Sequence, residues 1–203
     1  MSIRGQTAIV GFAEVPTLRN YGERDTLSLM AEVARDSITD SGLRKDDIDG
    51  LICPESVNSL ELCEGLGITP RYTTAMTVHG ASGATSILTA AMAVHSGIAN
   101  HVLCVFGESR PQSATRLAGG DLPRGGGGPP SIITEWEAPF GNVIAANGGY
   151  GLIKSRHMFE YGTTQEQFAK CAVDQRFNAM ENENAVWKGQ SITIEDVLNS
   201  RFT

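Results

Sequence analysis

The sequence has no excess of basic residues and no hydrophobic run long enough to cross a bilayer. Its 16 lysine and arginine residues stand against 23 acidic ones, which gives a net charge of −7. This balance argues against binding to nucleic acid or to an anionic membrane surface. Polar residues interrupt every apolar stretch well short of the roughly 20 residues that a transmembrane helix needs. We therefore expect neither a nucleic-acid partner nor a membrane span.

Cysteine is also scarce, with four residues in 203 and none in a CxxC pair. Zinc and redox sites usually show that pairing, so the cysteines predict neither a metal site nor a disulfide framework. The first residues lead straight into an apolar run and do not resemble a signal peptide. We expect a cytoplasmic protein with free thiols, no metal and no bound cofactor. The cysteines are Cys53, Cys63, Cys104 and Cys171.

Glycine is the one residue in excess, with 23 copies in a chain that is otherwise typical of globular α/β proteins. Residues 119–130, GGDLPRGGGGPP, are too rich in glycine and proline for regular structure. We predict a loop or lid there, inside an irregular insertion at about residues 110–160. This loop should be the first site of proteolytic cleavage, because it has no apolar anchor.

Short runs of strand-forming residues alternate with helical patterns along the chain. Units of strand, helix and strand build parallel sheets covered by helices, so the sequence predicts an α/β fold. The predicted strands are residues 7–12, 48–53, 72–78 and 102–106; the predicted helices lie between Asp25 and Gly42 and at 82–96, 142–161 and 164–180, with a short element at 192–198.

The predicted helix at 82–96 is small or apolar on nearly every side. Helices of this kind are normally buried. Two interpretations follow from the pattern: a helix packed tightly on one face of a sheet, or a central helix between two sheets.

Residues 78–84, VHGASGA, join a predicted strand to this helix through small side chains. Free N–H groups at a helix N-terminus can stabilise an anion, so this turn, which we call the elbow, is a candidate active site. A serine hydrolase would need GxSxG, and the elbow offers Gly80-x-Ser82-Gly83, which differs in spacing by one residue. Ser82 is therefore predicted to form hydrogen bonds at the helix start and not to act as a nucleophile.

The elbow and several later segments together resemble the thiolase superfamily, in its sterol-carrier, lipid-transfer branch. The later segments, in family order, are GES at 107–109, APFG at 138–141, RHMFEYGTT at 156–164 and ITIEDVL at 192–198. The resemblance covers nearly the whole chain. It implies a thiolase-like N-terminal half over residues 1–203, with helices packed on a mixed, mainly parallel sheet. It also implies that residues 1–203 do not include the C-terminal half, which carries further catalytic residues in the family.

One departure from the family affects the expected chemistry. The resemblance implies an acyl-CoA-binding, acyltransferase-like protein of fatty-acid or steroid metabolism. It also aligns the nucleophilic cysteine of thiolases with Gly80, so no thiolate is expected there for a covalent intermediate. Cleavage of a β-hydroxyacyl-CoA by a retro-aldol reaction needs no such thiolate. The candidate catalytic residues are His79, Gly80 and Ser82, although His79 can also be explained as a histidine that bonds to backbone.

The resemblance also provides expectations about coenzyme A and partners. His157 and Met158 are predicted to lie beside the pantetheine arm of a coenzyme A thioester, or else on an ordinary amphipathic helix. A homodimer and a small partner with an OB fold and a zinc ribbon are expected from the family. The alternatives to an enzyme are a non-catalytic subunit in a complex with such a partner, and an inactive truncated fragment.

Overall fold

The computed structural model describes residues 2–18, 21–109 and 145–200. The predicted glycine-rich loop at 119–130 lies outside the described residues. Backbone contacts divide the chain into a first unit, residues 1–15 and 20–113, and a second unit, residues 16–19 and 114–203.

Helix α1, Thr26–Ser41, begins and ends at the predicted residues. The Asp25 carboxylate accepts a hydrogen bond from the Ser28 N–H at 2.7 Å, and Gly42 ends the helix with a φ of 72°. These are the N-cap and C-cap functions that aspartate and glycine perform best. The buried face of α1 consists of Leu29, Met30, Ala31, Ala34 and Ile38.

Three parallel strands form the sheet of the first unit: β1, Gly50–Pro54; β2, Tyr72–Met76; and β3, Val102–Cys104. Their order is β2-β1-β3, and Gly50 is paired with both Tyr72 and Val102. The central strand β1 is the most deeply buried, with Leu51, Ile52 and Cys53 fully covered. The α/β fold and three of the four predicted strands are confirmed.

The predicted strand at residues 7–12 is wrong. None of the described strands pairs with this segment, and Ile9, Val10 and Phe12 are exposed. The segment is instead held against the last turn of α1, where Gly11 lies so close to the Ser37 carbonyl that a Cβ would be 2.5 Å away. An apolar run of this kind becomes a strand only when a second strand bonds to its backbone.

Helix α2, Ser59–Leu66, connects β1 to β2 and was not predicted. Its start is marked by Asn58, whose side chain accepts a hydrogen bond from the Leu60 N–H at 3.0 Å. Its end is marked by Gly67, with a φ of 65°. The helix buries Leu62, Cys63 and Leu66 in the same core as β1.

Helix α3, Ser82–His95, packs on the sheet with one face only. Ser86 and Ala93 are its buried residues, and the Cys104 thiol of β3 donates to the Ser86 carbonyl at 3.7 Å. The opposite face leaves Ile87, Leu88 and Met92 about half exposed. Of the two interpretations, the structure of this chain shows a helix on one face of a sheet. We call the exposed face, Ala84, Ile87, Leu88, Ala91 and Met92, the α3 stripe.

The second unit contains helices α4, Ala145–Tyr161; α5, Gln165–Met180; and α6, Ile194–Leu198. Thr164 begins α5 through a reciprocal capping box with Gln167. Among the described residues of this unit only Ala169 is buried. No helix in the described part of the chain is long and apolar enough to span a membrane.

Candidate active-site elbow

The elbow lies between β2 and α3 in the first unit. After β2 the chain makes one turn of 3-10 helix at His79–Ala81 and then enters α3 at Ser82. Residues 78–81 are exposed, so the N-terminus of α3 is open to solvent. Three of the predicted site residues, His79, Gly80 and Ser82, are therefore adjacent at a helix N-terminus.

Both hydrogen-bonding functions of the Ser82 hydroxyl are used within the elbow. It donates to the His79 carbonyl at 2.8 Å and accepts from the Val78 N–H at 2.9 Å. These bonds close the turn from both sides of His79. Ser82 thus has the helix-start role that the sequence predicted, and its hydroxyl group is engaged in hydrogen bonds within the elbow.

His79 carries the backbone strain of the elbow. Its φ is 49°, and it is the one residue other than glycine with a positive φ among the described residues. A side chain in this left-handed region costs roughly 1–2 kcal/mol, and such residues concentrate at functional sites. This conformation could not be predicted from the residue types, because a left-handed residue would be expected at the neighbouring glycine.

Gly80 has no structural need to be glycine. Its φ is not left-handed, and a Cβ placed on it would meet no atom within 4 Å. At Gly50, by contrast, a Cβ would lie 2.8 Å from Cγ2 of Val102. The fold as described would accept a side chain at position 80, including the cysteine of a thiolase.

The three cysteines of the first unit do not provide a substitute nucleophile at the elbow. Cys53 and Cys63 are buried in the core around β1, and Cys104 is partly covered between β3 and α3. Burial raises the pKa of all three thiols, so each resists forming a thiolate. The described residues also contain no group of three histidine, cysteine or acidic side chains that could hold a metal.

Comparisons with known proteins found relatives that match nearly the whole of this chain. The chain is 31% identical to the steroid side-chain-cleaving aldolase of Thermomonospora curvata, over 98% of this chain and 51% of the relative. It is 28% identical to the acetyl-CoA acetyltransferase of Methanothermobacter thermautotrophicus, over 95% of this chain and 50% of the relative. The solved structure of the Ltp2-ChsH2(DUF35) aldolase matches 96% of this chain and 49% of that one, with a TM-score of 0.79 and 29% identity. No protein-family model matches.

The chain is thiolase-like in sequence and fold. It spans about half the length of the curated relatives that it matches. The correspondence of Gly80 to the nucleophile position of thiolases stays a prediction, and the structure shows only that a Cβ at Gly80 would meet no atom within 4 Å.

The other two predicted site residues, His157 and Met158, lie on α4 in the second unit. The His157 ring contacts the rings of Tyr161 and Phe168, with centroids 4.8 Å and 5.6 Å away. Lys154 lies over the same Phe168 ring. The two contacts with Phe168 join α4 to α5, whereas Tyr161 lies on α4 itself. The coenzyme A role of His157 and Met158 stays a prediction.

Proposed function

We propose that this chain is one half of a thiolase-like carbon–carbon lyase that cleaves a β-hydroxyacyl-CoA by a retro-aldol reaction. The observation that carries the proposal is Gly80, a position that has space for a nucleophile and holds none. The relative from Thermomonospora curvata, named as a steroid side-chain-cleaving aldolase, supports the same reaction class. Its name also favours a steroid or other polycyclic acyl group.

The reaction needs groups that the elbow can supply only in part. A base removes the proton of the β-hydroxyl group, the C–O bond becomes a carbonyl, and the bond between Cα and Cβ breaks. The electron pair passes to the thioester as an enolate, which then takes up a proton at Cα. The open N-terminus of α3 would stabilise the enolate oxygen through its N–H groups and helix dipole.

We assign His79 to the wall of the thioester pocket and Ser82 to holding the elbow in shape. Ser82 keeps the turn closed through its two hydrogen bonds, and the turn holds His79 in its strained, exposed conformation. The base for the hydroxyl group is assigned to the complementary half of the protein. In this proposal the active enzyme is therefore an assembly, and neither half is active alone.

The test uses this chain co-purified with the half of the Thermomonospora curvata aldolase that it does not match, which we call the assembly. A β-hydroxyacyl-CoA is added, and a shorter acyl-CoA and a carbonyl product are followed by mass spectrometry. We expect both products in equal amounts, and none from either half alone. Failure of the halves to co-purify, or binding without product, would overturn the proposal.

A second candidate is a non-catalytic subunit that holds acyl-CoA for a partner. It is favoured by the solved Ltp2-ChsH2(DUF35) aldolase, whose name joins two components. Under this alternative the assembly binds acyl-CoA and co-purifies with an OB-fold partner but forms no carbonyl product. We propose cytoplasmic localisation and a homodimer for either case, and size-exclusion chromatography with light scattering tests the dimer.

A further inference from the structure

The chain continues beyond β3 as an extended segment whose side chains alternate between the two faces of the sheet. The Val105 N–H donates to the Ile52 carbonyl of β1 at 3.0 Å, which extends the sheet by one bond. Val105 is buried in the core that includes the inner face of α1. The preceding residue, Cys104, points to the other face, where its thiol donates to the Ser86 carbonyl of α3. Successive residues at the end of β3 therefore point in turn to α3 and to α1.

Two further contacts show that this alternation continues to Ser109. A Cβ on Gly107 would lie 3.7 Å from Cγ of Met30 on α1. The Ser109 hydroxyl donates to the Arg24 carbonyl, just before α1, at 2.8 Å. Residues 107 and 109 both face α1, so Glu108 between them faces the side of the sheet that carries α3. Glu108 is also exposed.

Glu108 lies at the level of the elbow. The strands are parallel and α3 connects the end of β2 to the start of β3, so α3 runs antiparallel to them. The contact between Cys104 and Ser86 fixes where β3 passes under α3. From there, extended chain carries Glu108 about 13 Å past Cys104. Helix and 3-10 turn carry His79 about 12 Å past Ser86 in the same direction.

The retro-aldol reaction has a proton transfer for which no group has been assigned; this step rests on the proposed function. After the bond between Cα and Cβ breaks, the enolate takes up a proton at Cα. With the enolate oxygen at the N-terminus of α3, Cα is two bonds away from that oxygen. The proton donor must then lie on an element beside the start of α3. Glu108 is an acid–base side chain in that position.

We propose that Glu108 is a catalytic residue that delivers the proton to Cα of the enolate. The carboxyl O–H bond breaks, the enolate electron pair forms the new C–H bond, and the thioester carbonyl is restored. The carboxylate regains a proton from solvent, and the hydroxyl proton of the substrate leaves through the base, so that no oxidant or reductant is needed. In the reverse direction the Glu108 carboxylate removes the same proton from a bound acyl-CoA.

The reverse direction provides a test that needs no cleavage substrate. The assembly is incubated with acetyl-CoA or propionyl-CoA in deuterated water, and exchange at Cα is followed by mass spectrometry. Wild type is compared with Glu108→Gln, Glu108→Ala and Glu64→Gln. Glu64 is the matched control, because it is also an exposed glutamate but lies on α2, which packs in the core on the α1 side of the sheet. Cleavage of a β-hydroxyacyl-CoA and thermal melting are measured on the same preparations.

We expect Glu108→Gln to lower the exchange rate by about a hundredfold or more, which is the usual contribution of a positioned acid or base. The melting temperature should not change, since the side chain is exposed. Formate added to Glu108→Ala should raise the exchange rate in proportion to its concentration, because a small carboxylate can occupy the vacated space. A purely structural role for Glu108 would not produce that dependence. Glu64→Gln should exchange at the wild-type rate.

The outcomes separate this inference from the lyase function. Exchange at the wild-type rate in Glu108→Gln, or an equal loss in Glu64→Gln, would overturn the role of Glu108 and leave the lyase function standing. A wild type that cleaves but exchanges neither acyl-CoA would do the same. Exchange without cleavage would overturn the lyase function and leave Glu108 as the group that acts at Cα. A wild type that does neither would overturn both.

Discussion

The Asp49 carboxylate accepts a hydrogen bond from the backbone N–H of His101 at 2.8 Å, while the backbone N–H of Asp49 donates to the His101 carbonyl at 3.2 Å. The same carboxylate accepts the Asn100 N–H at 2.8 Å and pairs with Arg71 at 3.0 Å. Because these residues immediately precede the three strands, one side chain joins the starts of β1, β2 and β3. Asp49 therefore helps to fix the register of the sheet.

We expect Asp49→Asn to lower the free energy of unfolding by about 1–3 kcal/mol at pH 7, because an amide cannot satisfy all of these donors. Burial acts to raise the pKa of the Asp49 carboxyl, but the bonds from His101 and Asn100 outweigh it and the pKa is lowered. Because the pKa is lower in the folded state, the ionised carboxylate stabilises the fold. This stabilisation is complete above the unfolded-state pKa of about 3.9 and is lost as the pH falls through the folded-state pKa. Urea unfolding of the assembly between pH 7 and pH 2 measures both effects.

The control is Asp36→Asn, on the exposed side of α1. It should change the free energy of unfolding by less than about 0.5 kcal/mol. Equal effects of the two substitutions would contradict the assigned role of Asp49.

His79→Gly should separate strain from function at the elbow. Glycine adopts a φ of 49° without a Cβ clash, so we expect the variant to be more stable by up to about 1 kcal/mol. Activity of the assembly should fall, because the imidazole that lines the proposed pocket is lost. Thermal melting and product formation are measured on the same preparation. A gain in stability with unchanged activity would show that the histidine has no role in the reaction.

Gly50→Ala should destabilise the sheet, since the new Cβ would lie 2.8 Å from Cγ2 of Val102 and 3.3 Å from Cβ of Ala99. Overpacking of a buried site usually costs about 1–3 kcal/mol. The matched change is Gly65→Ala on α2, where a Cβ meets nothing within 4 Å and alanine is the better helix former. We expect the two variants to move the urea midpoint in opposite directions.

Gly80→Cys should create a thiol that acyl-CoA can acylate. The position has room for the side chain, and a helix N-terminus lowers the pKa of a thiol. Mass spectrometry of the assembly after incubation with acyl-CoA should show one acyl group at residue 80. Wild type should show no labelling there, and iodoacetamide should leave its cleavage activity intact. Absence of a label would mean that residue 80 does not occupy the thiolase nucleophile position.

The chain expressed without its complementary half should self-associate through the α3 stripe. Exposed apolar surface forfeits roughly 25 cal/mol per Å², so covering the stripe is favourable. Leu88→Gln should reduce the mass measured by analytical ultracentrifugation, whereas Leu60→Gln should not. Leu60 is a fair control because it is an even more exposed leucine, on α2 and away from the stripe. A wild type that sediments as a monomer would contradict the prediction.

Features set by neighbouring residues could be predicted from the sequence, and features set by distant ones could not. Both ends of α1 followed from Asp25 and Gly42, because caps act within a few residues. The run at 7–12 has a strand composition, but pairing depends on a strand elsewhere in the chain. Likewise the elbow was found from its small residues, whereas the left-handed conformation of His79 depends on how Ser82 closes the turn.

The N-terminal segment at 7–12 is unpaired, yet it is fixed in place. The Phe12 N–H donates to the Asp40 carboxylate at 2.9 Å, and Gly11 is seated against α1. Ordering a free residue costs about 1–2 kcal/mol of backbone entropy. A strand that pairs with this segment would bond to a backbone that is already ordered in the folded chain. Association there would begin from a pre-organised surface and lose correspondingly less affinity to conformational entropy.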